Sequence, residues 1–266
     1  MTQPVEWNAE HYHVVSRPHE VWGARVLDRV PREGIGVAID AGCGTGKITR
    51  ELLDRLPEAT VYALDVSSSM LAVAERELAP VYGDRVRFQQ ADLTTVTGSE
   101  IGTTADLIFS TATFHWVKDH DQLFPRLFDL LNPGGSLIAQ CGGGPNIATL
   151  CDRMAELMAS PQFAEYFDGW TDPWYFASAE ETANRLKATG FTDVWTAVEP
   201  HPAPMADADE YRSFITTVVI RDQLARLPDQ ARKDTFVDEL TRRAATDDPP
   251  YELDYWRLNM TAKRSA

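Results

Sequence analysis

The stretch VAIDAGCGTG, Val37 to Gly46, decides the fold of this 266-residue chain. An apolar run leads to Asp40, and three glycines then alternate with other residues. Glycine lacks Cβ and adopts positive φ, so a strand that ends here brings its backbone close to a ligand. Residues 47–56 carry apolar side chains at helical spacing, and the first N–H groups of such a helix point back at the loop. The pattern predicts a strand, a glycine loop and a helix around a nucleotide-type ligand.

The glycine spacing narrows the kind of site. A dinucleotide fingerprint is G-x-G-x-x-G, but here the third glycine, Gly46, comes one position early. A P-loop needs G-x-x-x-x-G-K-[ST], and Ala41 and Ile48 occupy its first glycine and its hydroxyl position. Both phosphate-binding patterns therefore lose defining residues. The alternative is a glycine-rich turn without a ligand. Such a turn does not require an acidic residue before three glycines, so the presence of Asp40 favours a ligand site.

Acidic residues also follow the next two predicted strands. Residues 60–66 include Asp65, about 20 residues beyond the glycine loop, where a carboxylate suits the hydroxyls of a ribose. Helix capping is the alternative role for Asp65, but Ser67 already offers an N-cap. Residues 86–91 form the third strand, and Asp92 after it either accepts from an adenine amine or caps a turn. The three acidic positions together predict a site for a nucleoside-containing cofactor.

Over residues 37–145 this ensemble resembles the class I S-adenosylmethionine-dependent methyltransferases. The resemblance implies S-adenosyl-L-methionine as the cofactor and S-adenosyl-L-homocysteine as its product. It also implies that Asp40 and residues 42–46 line the methionine part, that Asp65 holds the ribose and that Asp92 holds the adenine. The predicted cofactor-binding residues are Tyr12, Ser16, Asp40, Gly42, Cys43, Gly44, Thr45, Gly46, Asp65, Val66, Met70, Ala91, Asp92, Leu93 and Ser110.

Predicted strands and helices alternate along the chain, which is typical of βαβ units and a parallel sheet. We expect an α/β fold with a three-layer, doubly wound, mostly parallel seven-stranded sheet and a helical insertion before the last strand. Ser178 and Glu181 form a predicted capping box for one of the helices. The predicted domains are an N-terminal cofactor-covering segment and helix at 1–34, a methyltransferase core at 35–200 and 251–266, and a helical lid or substrate insertion at 201–250.

Composition excludes several classes of partner. The formal net charge of −15 argues against nucleic acid and anionic membrane surfaces as binding partners. The three cysteines, Cys43, Cys141 and Cys151, form no disulfide framework, which fits a reducing compartment. We see neither signal-peptide features nor an apolar run of transmembrane length. We expect a cytoplasmic protein with a small-molecule acceptor, no nucleic-acid or membrane partner and no metal, and the oligomeric state stays open.

The predicted acceptor side follows the strand at residues 105–111. Ligands of open α/β sheets bind beyond the carboxyl ends of strands, so the sequence STATFHW at 110–116 lies where methyl group and acceptor meet. His115 is the candidate catalytic residue, and the alternative is that it packs at the strand end. Trp116 is predicted to form a wall. The F-H-W-V run resembles the branch of trans-aconitate and juvenile hormone acid methyltransferases, which esterify small carboxylic acids and imply a small-molecule acceptor.

Aromatic residues are concentrated at 163–176, with the irregular spacing of a loop. With later aromatic residues they are predicted to wall an apolar pocket, although core packing explains part of the cluster. At the N-terminus, Trp7 or Tyr12 is predicted to cover the sulfonium or the adenine, with hydrophobic docking as the alternative. The predicted substrate-binding residues are His115, Trp116, Trp170, Trp174, Tyr211 and Phe214. Candidate partners for an acceptor carboxylate are Arg17, Arg221 and Arg257, for each of which an exposed surface position is expected.

We expect methyl transfer to a small, apolar or amphipathic molecule, with a carboxylate as the favoured acceptor. A carboxylate is ionised near pH 7 and needs no general base. A hydroxyl or carbon acid does need a base, and His115 is then the natural choice. The alternatives are therefore a hydroxyl O- or C-methyltransferase of natural-product metabolism, and a non-methylating or non-catalytic protein that binds the cofactor.

Overall fold

The computed structural model describes Ala9 and residues 17–265, with the backbone alone for residues 17–21. Trp7, Tyr12 and Ser16 lie outside the described residues. The helices are α1 Arg17–Leu27, α2 Lys47–Arg55, α3 Ser68–Tyr82, α4 Gly98–Ile101, α5 His120–Leu130, α6 Ala148–Met158, α7 Ala179–Thr189, α8 Ala208–Phe214, α9 Arg221–Arg226 and α10 Gln230–Ala244. A π-helical turn at Ile215–Val219 joins α8 to α9. None of the helices described is both long and apolar enough to cross a membrane.

The strands are β1 Val37–Ala41, β2 Thr60–Asp65, β3 Val86–Gln90, β4 Ala105–Thr111, β5 Leu131–Gly142, β6 Phe191–Pro200, β7 Ala203–Pro204, β8 Glu252–Leu253 and β9 Trp256–Arg264. Within the described residues, one seven-stranded sheet has the order β3–β2–β1–β4–β5–β9–β6, and β7 pairs with β8. Across the sheet from β3 through β2, β1 and β4 to β5, each strand pairs in parallel with the next, whereas β5 and β9 pair antiparallel. This architecture confirms the predicted mostly parallel, seven-stranded fold.

Alternate residues of the central strands pack on opposite faces of the sheet. Ile39 and Ile108 belong to one buried cluster, whereas Ala38 and Leu107 belong to another, as the two-residue period of a strand requires. Helices α5 and α7 contribute leucines to the first cluster, and α1, α2 and α3 contribute apolar residues to the second. Helices therefore cover both faces, which gives the three layers predicted from the alternating pattern.

The chain divides into two compact units. Among the described residues, the first consists of Ala9 and residues 17–144, 174–198 and 257–265, and it contains the seven-stranded sheet except for the ends of β6 and β9. The second consists of residues 145–173 and 199–256, and it contains α6, α8 to α10 and the small sheet of β7 and β8. The domain boundaries given by the sequence stay a prediction.

The last strand of the large sheet begins at Trp256, within residues 251–266, which the sequence predicts as part of the core. Leu253 pairs with Ala203 in the small sheet, and Tyr255 N–H donates to the Leu253 carbonyl at 2.8 Å. The chain therefore leaves one sheet before it enters the other.

Candidate active site

The glycine loop is held between the end of β2 and the segment after β4. The N–H groups of Gly42 and Cys43 both donate to the Leu64 carbonyl, at 2.8 and 2.9 Å. Gly42 has φ 86°, and a Cβ there would lie 2.2 Å from Oγ1 of Thr113. Thr113 Oγ1 donates to the Gly42 carbonyl at 3.1 Å. This position therefore requires glycine both for its conformation and for its close approach to Thr113, beyond the end of β4.

Gly44 lies on the open side of the loop. Its φ is 54°, and a Cβ there would have no protein atom within 4 Å. Its N–H donates to Oδ2 of Asp65 at 2.9 Å, and Ser67 N–H donates to Oδ1 at the same distance. An ionised carboxylate has about four acceptor sites, so these backbone contacts orient Asp65 and are compatible with a ligand diol. The loop and the end of β2 together form an open edge with a fixed carboxylate.

Asp40 is a second carboxylate at this edge. It is buried at the end of β1 and accepts a hydrogen bond of 2.7 Å from Oγ1 of Thr49. Burial raises the pKa of Asp40 to about 7; the Thr49 bond acts in the opposite direction, and the charge of Asp65 raises it further. Because a nearby cation favours the ionised form, this pair of carboxylates is suited to a positively charged ligand.

The thiol of Cys43 shares this environment. Burial raises its pKa well above the usual value, and the charges of Asp65 and Asp40 raise it further. Thr45 is also buried, and Gly46 has φ 83° as the N-cap of α2. The loop residues from Gly42 to Gly46 thus lie together with Asp40 and Asp65, as the sequence predicts.

The other predicted cofactor residues lie at strand ends or on α3. Ala91 N–H donates to the Asp65 carbonyl at 2.9 Å, and Leu93 is buried. Asp92 is exposed, and its Oδ1 accepts from the backbone N–H and the hydroxyl of Thr94, at 2.8 and 2.7 Å. These are the contacts of the turn-capping alternative, and they involve one oxygen of the carboxylate. The adenine contact of Asp92 stays a prediction.

The remaining three predicted positions differ in exposure. Val66 is 42% exposed after β2, whereas Met70 is buried on α3 and clusters with Val73 and Ala9. This cluster brings one described residue of the N-terminal segment against α3. Ser110 is buried, and its Oγ donates to the Ala41 carbonyl at 2.6 Å, which ties β4 to β1. The predicted contact of Ser110 with the cofactor therefore requires its backbone, or a hydroxyl that also donates to the Ala41 carbonyl.

His115 lies in a 3₁₀ turn, Phe114–Trp116, just beyond β4. It is buried, and its Nδ1 accepts a hydrogen bond of 3.3 Å from the N–H of Gly142 at the end of β5. Its carbonyl accepts from Tyr175 N–H at 2.8 Å. The first contact orients the ring and the second holds the backbone of the turn, at the carboxyl ends of β4 and β5. The sequence does not reveal the partner Gly142, because it lies 27 residues further along the chain.

Aromatic rings surround His115 within the first unit. Trp116 and Phe176 have ring centroids 5.3 and 5.9 Å from the imidazole. Trp174 stacks on Phe176 at 5.8 Å and contacts Trp116 at 6.1 Å. Three predicted substrate residues, His115, Trp116 and Trp174, are therefore together, and Phe176 joins them.

The other three predicted substrate residues lie in the second unit. Trp170 packs against Phe167 and donates from Nε1 to Asp172 at 3.0 Å. Tyr211 is buried, and burial raises its pKa to about 12. Phe214 is buried against Tyr255, with ring centroids 6.4 Å apart. The aromatic residues that the sequence groups together thus separate at Pro173 into two sets, one in each unit.

The arginines predicted as surface charges do not behave alike. Arg257 is only 2% exposed, so the expectation of a surface position is wrong for this residue. Arg257 is in β9, which pairs with β5, and the Trp22 ring of α1 lies against its guanidinium. Arg221 is half-buried beside Asp222. The side chain of Arg17 lies outside the described part of the chain.

The chain is similar to known methyltransferases. A family described as "Methyltransferase domain" matches residues 38–135. The trans-aconitate 2-methyltransferase of Methylobacterium radiotolerans is 32% identical over 260 residues, which cover 92% of this chain and 91% of that protein. That of Deinococcus radiodurans is 36% identical over 134 residues, but this alignment covers 50% of the chain and only 48% of the relative.

A solved structure shares the fold. Phosphoethanolamine N-methyltransferase 2 of Haemonchus contortus, in complex with S-adenosylhomocysteine, superposes with a TM-score of 0.61 at 20% identity. The match covers 97% of this chain and 57% of that protein. At this level of identity the similarity demonstrates the fold alone.

S-adenosylmethionine is the cofactor of this enzyme, and the described residues fit it. The cofactor carries a positive sulfonium, which the paired carboxylates Asp40 and Asp65 favour electrostatically. Its ribose has two hydroxyls that suit the oriented Asp65, and the space beside Gly44 leaves room for it. The chain belongs to the S-adenosylmethionine-dependent methyltransferases, in the family that includes the bacterial trans-aconitate 2-methyltransferases.

Proposed function

We propose that the enzyme methylates a carboxylate oxygen of a small organic acid, with His115 as a hydrogen-bond donor. The observation that carries this proposal is the hydrogen bond of 3.3 Å from Gly142 N–H to His115 Nδ1. A neutral imidazole that accepts at Nδ1 carries its proton at Nε2. Such a ring donates a hydrogen bond from Nε2 and has no second basic nitrogen with which to deprotonate an alcohol. This arrangement favours an acceptor that arrives already ionised.

A carboxylate meets that requirement, because it is ionised near pH 7. When bound, S-adenosylmethionine supplies the methyl group. A carboxylate oxygen forms the new O–C bond as the C–S bond breaks, and the electron pair of the C–S bond stays on the sulfur. No proton is transferred in this step. The role of His115 is to orient the carboxylate, and fixed alignment of two reactants is worth up to about 7–11 kcal/mol of the barrier.

The surroundings of His115 support an acceptor with an apolar or amphipathic body. Trp116, Trp174 and Phe176 present aromatic rings beside it, and small-molecule sites are typically lined by such rings with a few polar groups. The name of the relatives, trans-aconitate 2-methyltransferase, supports a carboxylic acid as the acceptor. Together these features support a small acid rather than a macromolecule.

An acceptor screen with isotopically labelled methyl donor tests the proposal. The panel contains trans-aconitate and fatty, terpenoid and aromatic acids, each paired with the alcohol or phenol of the same skeleton. Mass spectrometry then identifies the labelled product. Labelled methyl esters from acids, and no ethers from the matched alcohols, support the proposal. Methyl ethers or C-methylated products alone contradict it and favour base catalysis.

A further inference from the structure

Arg257 is an unusual buried residue of the first unit. It is only 2% exposed and is the bulkiest of the fully buried side chains among the described residues. Arginine is seldom buried, because removing its charge from water costs several kcal/mol unless other groups compensate. An apolar side chain of similar volume fills such a position without that cost. Volume alone therefore does not account for a guanidinium here, and the groups around it bear on its role.

Neighbouring polar groups fix the orientation of this guanidinium. Its Nε donates to Oε1 of Gln140 at 3.4 Å, and its plane lies over the Trp22 ring with Cζ 4.5 Å from the centroid. Gln140 Nε2 in turn donates to Oδ1 of Asn259 at 2.7 Å, and Asn259 Nδ2 donates to the Arg257 carbonyl at 3.3 Å. Gln140 and Asn259 are themselves buried. The network determines where the guanidinium points and reduces the entropy it loses on binding a ligand.

The guanidinium belongs to the same end of the sheet as His115. In the antiparallel register of β5 and β9, Arg257 is opposite Gly142, whose N–H binds the His115 ring. The Cys141 thiol lies near both residues. Burial raises its pKa to about 12, while the Arg257 charge and a backbone hydrogen bond from His115 act in the opposite direction. Arg257 is therefore a fixed cation at the strand ends where the acceptor site is proposed.

We propose that Arg257 is a specificity-determining residue that binds a carboxylate of the acceptor at the carboxyl end of β5. This inference rests on the proposed function. A guanidinium presents parallel N–H groups that match the two oxygens of a carboxylate, and charge-assisted bonds of this kind are stronger in a buried environment. The neighbouring aromatic rings then contact the body of the acid. The enzyme is thus expected to distinguish an acid from its neutral amide by Arg257.

The test measures binding to the full-length enzyme saturated with S-adenosylhomocysteine, so that it does not depend on methyl transfer. Two acid–amide pairs serve as probes: trans-aconitate with its triamide, and decanoate with decanamide. The wild type is expected to bind at least one acid about tenfold or more tighter than its amide. Arg257→Gln is expected to bring the ratio of acid affinity to amide affinity close to one. Arg257→Lys is expected to retain part of this preference, since lysine keeps the charge but lacks the parallel N–H groups of a guanidinium.

Arg264→Gln is the matched control. Arg264 is in the same strand, seven residues further on, and donates to the carbonyls of Phe128 and Leu131 at the other end of β5. Its replacement is expected to leave the acid-to-amide ratio unchanged. Affinity for S-adenosylhomocysteine is measured for every variant, since a merely structural role of Arg257 lowers this affinity without changing the ratio.

The outcomes separate the two proposals. If acids are methylated and Arg257→Gln keeps the wild-type ratio, Arg257 does not bind the carboxylate, while the proposed function stands. If the wild type binds neither acid more tightly than its amide, the Arg257 proposal fails, and the acceptor screen decides separately on the proposed function. Should both Arg257 variants fold too poorly to bind S-adenosylhomocysteine, a crystal structure of the wild type with S-adenosylhomocysteine and the acid decides. A carboxylate oxygen within about 3.2 Å of the guanidinium supports the proposal, and a carboxylate bound elsewhere overturns it.

Discussion

Gly44 N–H donates a hydrogen bond of 2.9 Å to Oδ2 of Asp65, which joins the glycine loop to the end of the neighbouring strand. The backbone of the loop thereby orients the carboxylate that we predict to bind the ribose. Ser67 N–H donates to the other oxygen, Oδ1, at 2.9 Å. Backbone hydrogen bonds to both oxygens therefore fix the orientation of the Asp65 carboxylate. Cofactor affinity should therefore depend strongly on this side chain.

Asp65→Ala is expected to weaken S-adenosylmethionine binding by more than tenfold, because charge-assisted hydrogen bonds contribute about 1.5–3 kcal/mol. Isothermal titration calorimetry measures the change. Asp84→Ala, at an exposed position before β3, serves as the control and should leave the affinity unchanged. An unaltered affinity in Asp65→Ala would remove the ribose assignment.

The pH dependence of cofactor binding should report on Asp40. Its pKa of about 7 in the free enzyme means that protonation below this pH neutralises a carboxylate that the cationic cofactor favours. Affinity is therefore expected to be about tenfold lower at pH 6 than at pH 8, and proton release should accompany binding at pH 6. Calorimetry in buffers of different ionisation enthalpy measures both. Asp40→Asn should abolish the dependence, and Thr49→Val should shift its midpoint upward, since the Thr49 bond lowers the pKa.

The same carboxyl should affect the stability of the free enzyme. Its folded pKa of about 7 lies above its ordinary value of 3.8, so the native state binds more protons than the unfolded state between these values. Stability should consequently fall as the pH rises from about 4 to about 7. A comparison of urea denaturation for the wild type and Asp40→Asn isolates this contribution, and parallel pH profiles in the two proteins would contradict it.

Gly44→Ala should separate cofactor binding from stability. The φ of 54° is strained for alanine, at a cost of about 1–2 kcal/mol, but the added methyl group meets no protein atom within 4 Å. Gly134→Ala is the matched control, because Gly134 has φ 83° and equally open surroundings. Both variants should lose similar stability in urea, and only Gly44→Ala should bind S-adenosylmethionine more than tenfold more weakly. Equal affinities in the two variants would show that the open side of the loop does not face the cofactor.

Replacement of His115 should distinguish its two roles. As a hydrogen-bond donor to a carboxylate, His115→Ala should raise the acceptor KM about tenfold and change kcat much less. His115→Gln should recover part of the loss, since its amide N–H₂ also donates. Steady-state kinetics at saturating cofactor measures both constants. A fall of several hundredfold in kcat, with cofactor affinity intact, would instead identify His115 as a general base.

Local features of the sequence predicted much of this architecture. The glycine loop and Asp65 follow two adjacent parallel strands, with Gly44 and Asp65 21 positions apart, and this spacing is typical of a βαβ unit, so the sequence pattern predicted it. The capping box of α7 is equally local: Ser178 Oγ accepts from Glu181 N–H at 3.1 Å, and Glu181 Oε2 accepts from Ser178 N–H at 3.0 Å. A capping box involves only residues that are a few positions apart, so the residue types at those positions are enough to predict it.

Features that depend on distant strand pairing could not be obtained in this way. Arginine is usually exposed, which is why the sequence predicts Arg257 at the surface, but this residue pairs in register with Gly142 and has the Trp22 ring against its guanidinium. The aromatic run at 163–176 likewise looked like one cluster, although the chain crosses between its two units at Pro173 and Trp174. The periodicity of the sequence does not reveal which distant residues surround Arg257, or that the aromatic run is divided between two units.

The two carboxylates beside the glycine loop also have a chemical consequence for Cys43. A thiol reacts with oxidants and electrophiles as its thiolate, and the fields of Asp40 and Asp65 together with burial oppose formation of that anion. The charges that we predict to attract a methyl-bearing sulfonium therefore also keep the Cys43 thiol protonated, which protects it from alkylation by that sulfonium.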